Sequence, residues 1–478
     1  MTFRQQLSDN AALQYVADSL EIMSPAGRRC LMETPWMTEV AQLNEAMDHV
    51  QTLLVRLHRP DCAPLINDLR HCFMQLHDVQ GTISRLRSHT LLDEVELFEL
   101  KAFCHLCMQA RKLCAQLEVQ PITALPDLAD LFALLDPDST GVPHFYIYDS
   151  YHPDLPSLRA HLRAAQADLE RQEQSGDEAA LDRALALVTQ LLGQQEEVQL
   201  AVIRRLSDQL HPHADRLATA LDRMGRADLL LAKAVLADRW QLARPTFSPS
   251  ATRLRGLYLP HLRHHNEALH LRYQPVDLDI APGVCLITGA NMAGKTVLLK
   301  ALACAQQMAQ YGLYVPAAQA TLLPVDEVAL CIGDEQNEMN GLSSFASEII
   351  KISTTLQACR HRRLLVLIDE PARTTNPIEG KAIVQAVIQL QNSLPSLTLI
   401  TTHYSGLGTD CRRLRVRGFV EQLVDAPLTP ATINRYMDYS LTPDTGDDVP
   451  REALRIAAIL GCDEPLVSLA TSLLPATV

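Results

Sequence analysis

The sequence predicts an α/β protein: an all-α stretch over roughly the first 245 residues, then a domain of alternating short strands and helices. Three observations carry this. Segments rich in Leu, Ala, Gln and Arg keep a helical spacing of apolar residues as far as Trp240. Beyond them, apolar runs of strand length (VCLIT, LLVLI and LTLITT) alternate with helical runs, the pattern of a mostly parallel sheet with crossover helices. Hydrophobic residues make up 47% of the chain but aromatics only 5%, which suits helices packed by aliphatic side chains. At 478 residues the chain is long enough for roughly two to four domains.

Taken in order, residues 1–119 read as helices with short breaks, including the amphipathic run DEVELFELKAFCHLCMQARKLCAQL. Pro121, Pro126, Pro137 and Pro143 punctuate a loop-rich passage that holds the β-like run HFYIYDS. Two long helices follow from Asp154. The first ends at Ser175 and Gly176, and the second runs from near Asp177 to about His211. A third ends in MGRADLLLAKAVLADRW. The helical part thus divides into 1–130 and 131–245. ARPTFSPSATR, with two prolines, small polar residues and no periodicity, reads as an interdomain linker. The alternating domain covers 246–435 and a helical C-terminal segment covers 436–478.

Charge and composition exclude some functions. The formal net charge is −14, whereas a protein that lives on nucleic acid carries a basic footprint. This argues against tight DNA binding and leaves room for a local basic patch. The opening MTFRQQLSDNAALQ has no apolar core of a secretory signal, and no apolar run approaches the ~18 residues of a membrane span. The twelve cysteines are scattered and read as reduced, buried thiols of a cytoplasmic protein.

The chemistry is concentrated in three places. Gly289-Ala290-Asn291-Met292-Ala293-Gly294-Lys295-Thr296 matches the P-loop pattern GxxxxGK[ST], preceded by a strand and followed by a helix, as that loop requires. Its backbone N–H groups and the helix N-terminus suit phosphate, Lys295 brings a cation to the β and γ oxygens of ATP, and the Thr296 hydroxyl is a ligand for Mg²⁺. LLVLIDE supplies a buried strand ending in Asp369, placed to hold Mg²⁺ through water, and Glu370, placed to orient and deprotonate the attacking water. LTLITTHY ends a further strand at His403, which either senses the γ-phosphate or simply bonds a carbonyl at the strand end.

TGANMAGKT, GLSSFASE, DEPARTTNPIEG and TTHY, in this order and spacing, resemble the MutS family of ABC-type P-loop ATPases. The resemblance is specific from about Leu254 to His403 and weaker outside it. It implies core and lever helices over the all-α part, including LDEVELFELKAFC and MGRADLLLAKAVLA. It also implies a C-terminal helix-turn-helix dimerisation segment in REALRIAAILGCDEPLVSLATSLL. Asn291 would lie beside the phosphates. Ser343 would reach across a homodimer to the γ-phosphate bound by the other subunit, giving composite ATP sites. Asp369 and Glu370 become the Walker B pair and His403 the switch histidine. Two departures stand out: Ala293 replaces a usual glycine, and the usually glycine-rich segment after Glu370 reads PARTTNPIEG, with Pro371, Ala372 and Pro377.

The resemblance also implies a short form without the mismatch-recognition and clamp modules. The family's DNA wedge is an aromatic in a Phe-x-Glu motif that unstacks a mispaired step. Phe419-Val-Glu421 is the sole match here and reads as part of a strand. Little more than QEQSGDEA separates the two long helices, where a clamp would be inserted. Two readings stay open: a DNA-associated ATPase of the mismatch-repair and recombination family that binds DNA non-specifically or by structure, and an ATPase that remodels a protein client. Short relatives of the second kind resemble reactivating factors of cobalamin-dependent amino-acid aminomutases. Of the weaker signals, Cys104, Cys107 and Cys114 share one helix and read as buried small hydrophobes rather than metal ligands. His261, His264, His265 and His270 read as solvated or base-stacking. Arg255, Arg263 and Arg272 form either a local basic face or ordinary surface arginines.

Overall fold

The computed structural model describes the chain except residues 8–9, 142–144, 176, 291–292, 333–343, 374, 405, 408–409, 421–432, 445–453, 455–456, 459–460 and 474–478. It forms two compact units that interleave along the sequence. A helical unit comprises Ile22–Glu33 and Thr52–Ala234, and a mixed unit comprises Met1–Glu21, Thr34–Gln51 and Val235–Val478. Sequence patterning divides the chain contiguously at 130, 245 and 435; the units differ because the first residues bury themselves in the mixed unit. Phe3 packs edge-on against Tyr311 at 4.9 Å, and the Trp36 indole donates to the Val325 carbonyl at 2.8 Å. Such contacts join residues some three hundred positions apart, and helical periodicity carries no trace of them.

In the helical unit, α1 (Glu94–Gln116) opens with a capping box. Asp93 accepts from the Glu96 N–H at 2.8 Å, and Glu96 accepts from the Asp93 N–H at 3.0 Å. The helix buries Leu97, Leu100, Phe103, Cys104, Cys107 and Cys114. Burial pushes the Cys107 thiol up to about 12 and Cys114 up to about 11, far from a reactive thiolate. α2 (Leu155–Ser175) and α3 (Glu178–Leu210) meet through Leu162, Ala165 and Val188, and Asp177 caps α3 by accepting from the Ala179 and Ala180 N–H groups. α4 (Ala214–Arg239) follows, so the long helices lie where their periodicity predicts.

The β-like run HFYIYDS is not a strand. Phe145–Tyr148 runs without a ladder partner among the described residues into a short 3₁₀ turn at Asp149–Tyr151. Its apolar character serves burial instead. Tyr148 is 0% exposed, and its hydroxyl joins the buried pair of Lys101 and Asp136, whose charged atoms lie 2.9 Å apart.

The mixed unit holds two sheets. One has the order β1-β5-β2-β3, from β1 (Thr246–Phe247), β2 (Thr252–Leu257), β3 (Val276–Ile280) and β5 (Gln319–Leu322). The stretch expected as a linker therefore contributes β1 and the start of β2, β1 pairing parallel with β5 and β2 pairing antiparallel with β3 and β5. The second sheet has the order β10-β9-β4-β8-β7-β6, from β4 (Gly283–Thr288), β6 (Glu327–Ile332), β7 (Leu364–Asp369), β8 (Leu397–Thr401), β9 (Arg412–Phe419) and β10 (Met437–Pro443). Its strands run parallel except β10 at the edge. Phe419 ends β9 as expected, and Glu421 lies outside the described residues. The core between this sheet and its helices is aliphatic, including Leu286, Val366, Ile368, Val384, Ile388 and Ile400.

The histidine-rich HLRHHNEALH folds as α5 (Pro260–Ala268) and its following turn, with His265 and His270 exposed and His261 and His264 half-buried. His264 Nδ1 lies 3.0 Å from the Tyr15 hydroxyl, its ring packs on Trp240 at 4.8 Å, and burial lowers its pKa. Arg255 forms a two-pronged pair with Asp279, and Arg263 pairs with Glu267, so neither adds an uncompensated charge to a basic face. No helix among the described residues is long and apolar enough to cross a membrane.

Candidate nucleotide site

β4, β8 and β7 lie side by side with Ile287, Thr401 and Asp369 in register. Their carboxyl ends therefore reach one edge, where open α/β sheets collect functional groups. β4 leads through the loop from Gly289 to Gly294 into α6 (Lys295–Gln310). Two glycines make that turn. Gly294 caps the helix at φ +75°, and a Cβ there would stand 3.1 Å from the Tyr439 ring; Gly289 has φ +151°.

The Lys295 ammonium is only 4% exposed. It donates to the carbonyls of Gly289 and Ala290 at 2.9 and 3.0 Å and lies 3.1 Å from Glu370 Oε1. Next to it, Thr296 donates its hydroxyl to Asp369 Oδ2 at 2.6 Å, while Thr401 donates to Asp369 Oδ1 at 2.5 Å. Each carboxylate oxygen of Asp369 is thus fixed by one threonine. Glu370 follows in a left-handed conformation, φ +46°, with its N–H donated to the Thr401 hydroxyl at 3.0 Å and the Thr401 carbonyl at 3.1 Å. Ala372 is left-handed as well, φ +60°. Such conformations cost on the order of 1–3 kcal/mol each and persist only where neighbours over-determine them.

Eight residues singled out by sequence therefore meet in one place: Gly289, Ala290, Ala293, Gly294, Lys295, Thr296, Asp369 and Glu370. His403 sits just past the tip of β8, exposed, with its ring 4.5 Å from that of Tyr404. Asn291, Met292 and Ser343 lie outside the described residues. Sequence reasoning passed over Thr401, Glu348, Tyr404 and Tyr439. Thr401 and Tyr404 stand within the quoted strand and TTHY, and Glu348 within GLSSFASE; no local pattern announces Tyr439.

A cavity of about 420 Å³ opens beside the loop, walled by Leu257, Tyr273, Gly294, Val297, Val416 and Tyr439. Burial raises the hydroxyl pKa of both tyrosines, so they stay neutral. Apolar and aromatic walls next to a helix N-terminus and a buried ammonium suit a flat ring joined to an anionic tail. Thr296 and Asp369 offer oxygen ligands side by side, the donor type that magnesium selects when water and phosphate complete its shell.

The MutS domain V profile matches residues 285–442, from β4 through β10, which takes in every described residue of the loop, of the Asp369–Glu370 strand end and of the His403 tip. Over 284 residues the chain is 31% identical to the DNA mismatch repair protein MutS of Chloroflexus aurantiacus, covering 56% of this chain and 29% of that one. Residues 285–442 thus match a domain of the MutS family. The Endonuclease MutS2 of Thermus thermophilus is 35% identical over 218 residues, or 45% of this chain and 28% of that protein. The corresponding protein of Gemmatimonas aurantiaca is 33% identical over 292 residues, or 59% and 33%. Thus the chain spans well under half the length of these MutS-family relatives. Its departure in PARTTNPIEG has a local account. Pro377 is the first residue of α7 (Pro377–Asn392), and Asn376 caps that helix by accepting from the Ile378 N–H.

Proposed function

We propose that this protein is a MutS-family ATP hydrolase that binds ATP with Mg²⁺ at the loop from Gly289 to Thr296 and uses the nucleotide cycle to close and open on a DNA-associated target. One observation carries the reading. Lys295 and Thr296 meet Glu370 and Asp369, 75 and 73 positions on, at 3.1 and 2.6 Å. Phosphate-binding and water-activating groups are brought together at the carboxyl ends of β4 and β7, with β8 between them, and such a meeting is what phosphoryl transfer needs.

The loop N–H groups and Lys295 hold the β- and γ-phosphates, and the aromatic cavity takes the base. Bound magnesium would neutralise charge on the bridging oxygens, with Thr296 and Asp369 as its protein ligands. Glu370 takes a proton from the attacking water as its oxygen bonds the γ-phosphorus. The bond to the β–γ bridging oxygen then breaks, leaving ADP and inorganic phosphate. His403 is near enough to the strand ends to respond to the γ-phosphate. Ser343, one residue before the helix Ser344–Cys359, is the residue we assign to the partner subunit's nucleotide in a homodimer. A twofold pair is the commonest assembly, and the C-terminal helix α8 (Glu464–Ser472) supports one: Leu466, Leu469 and Leu473 share a helical face and are 63%, 62% and 74% exposed.

A second reading, an ATPase acting on a protein client, is favoured by the net charge of −14. Retention on duplex or branched DNA that falls steeply with salt favours the first; salt-insensitive capture of a protein favours the second. The ATPase reading itself is tested by Lys295→Ala and Glu370→Gln. Lys295→Ala is expected to abolish ATP binding, and Glu370→Gln to bind ATP but not turn it over. Unaltered ATP affinity in Lys295→Ala would overturn the assignment.

A further inference from the structure

Ala372 makes a backbone contact on each side. Its N–H donates to both carboxylate oxygens of Glu348, at 3.2 and 3.3 Å, and its carbonyl accepts the Tyr404 hydroxyl at 2.9 Å. Glu348 lies on the helix Ser344–Cys359, and Tyr404 follows His403 beyond β8. Both reach the backbone of the same residue, two positions after Glu370, inside the stretch where Glu370 and Ala372 are left-handed. Ala372 is 0% exposed. A fourth element makes room for the clamp. Gly380, in α7, has no Cβ, and one built there would stand 2.2 Å from the Tyr404 hydroxyl and 3.1 Å from the Ala372 carbonyl.

We infer that Glu348 and Tyr404 are positioning residues that hold the left-handed turn after β7 and thereby aim the Glu370 carboxylate, with Gly380 required so that Tyr404 can reach. This rests on the ATPase reading above. Neither residue is among the groups assigned above to the phosphates, the magnesium or the base. They act through the Ala372 backbone, so their loss should slow turnover while leaving ATP binding intact. The same contacts give the turn a mechanical link to both of its neighbours. Glu348 lies one helical turn past Ser344, next to the Ser343 assigned to the partner's nucleotide, and Tyr404 packs its ring on His403. A shift at either place therefore reaches Glu370 through the backbone of one residue, Ala372.

The test is steady-state ATP hydrolysis with a separate measurement of ATP affinity and of thermal unfolding. Tyr404→Phe keeps the ring packing and removes only the hydroxyl, and Glu348→Ala removes the acceptor. Each is expected to lower kcat by about tenfold, the scale of one lost hydrogen bond, with KM and ATP affinity within about twofold. Glu348→Gln keeps a carbonyl acceptor and is expected to recover most of the rate. Gly380→Ala should reproduce the Tyr404→Phe defect, and combining the two should add little, because both break the same contact. Full kcat in Tyr404→Phe and Glu348→Ala, in a protein that otherwise hydrolyses ATP, overturns this inference alone. So does a drop in kcat matched by lost ATP affinity or lost folding. Absence of hydrolysis in the unsubstituted protein overturns the ATPase reading and this inference with it.

Discussion

Thr401 offers a sharp perturbation of the site because its side chain does two things at once. Its hydroxyl donates to Asp369 Oδ1 at 2.5 Å and accepts the Glu370 N–H at 3.0 Å, and the residue is 0% exposed. Thr401→Val keeps the shape and removes both bonds. The losses are unequal. The Glu370 N–H retains the Thr401 carbonyl at 3.1 Å, so that group stays satisfied. Asp369 keeps only the Thr296 hydroxyl, on its other oxygen. A hydrogen bond to a charged group contributes about 1.5–3 kcal/mol. If that interaction is needed to present Asp369 to magnesium, kcat/KM should fall by about 10- to 150-fold. ATP hydrolysis measured across a magnesium titration checks this. The apparent magnesium requirement should rise, and extra magnesium should restore part of the rate. A Thr401→Val protein within about threefold of the unsubstituted rate at every magnesium concentration would refute the view that Thr401 fixes Asp369.

Three further predictions concern stability, its pH dependence and assembly. Asp136→Ala strands the Lys101 ammonium, 0% exposed, without its carboxylate, and should destabilise the helical unit by about 3–5 kcal/mol in denaturant unfolding, whereas the paired change Lys101→Met with Asp136→Leu should recover much of it. Burial pushes the Asp136 carboxyl up, but bonds from Thr140, Lys101 and the Gly141 N–H outweigh it and hold the pKa well below the usual carboxylate range. The contribution is therefore full above pH about 4, near the unfolded carboxyl's own pKa, and fades as pH falls below it; unfolding midpoints that stay flat from pH 6 to about pH 3 would contradict this. Leu469→Glu puts a charge in the exposed stripe of α8 and should shift the protein toward monomer in sedimentation at micromolar concentration; an unchanged assembly would remove the stripe from the interface.

How legible the fold was depended on how far apart the paired residues stand. Buried parallel strands are covered on both faces, so β4, β7 and β8 read as unbroken apolar runs. The long helices showed in their periodicity, and Asp177 marked one boundary by capping. β1 and β2 were hidden because Pro245 and Pro249 flank them with loop chemistry. Their strand character comes from β5, where Thr246 faces Thr321 across 75 positions. HFYIYDS misled in the opposite sense. β-branched and aromatic residues suit any buried extended chain, and here the demand was for Tyr148 to reach Lys101, not for a sheet partner.

The site divides along a different line. Residues to which we assign the chemistry obey spacing rules, because a phosphate cradle needs glycine, lysine and a hydroxyl in fixed order; those were visible. Residues that act on a backbone atom obey no such rule. Glu348 and Tyr404 address the N–H and the carbonyl of Ala372, and a backbone group looks the same in every residue type. The same reasoning accounts for a left-handed turn built without glycine in PARTTNPIEG. What the turn demands at position 372 is a buried residue small enough to fit and able to hold φ +60°, and alanine meets the first requirement while its two hydrogen-bond partners enforce the second. A glycine there would adopt the turn unaided, so the alanine makes the turn depend on Glu348 and Tyr404. In this chain, that dependence ties the turn carrying Glu370 to the two neighbouring elements.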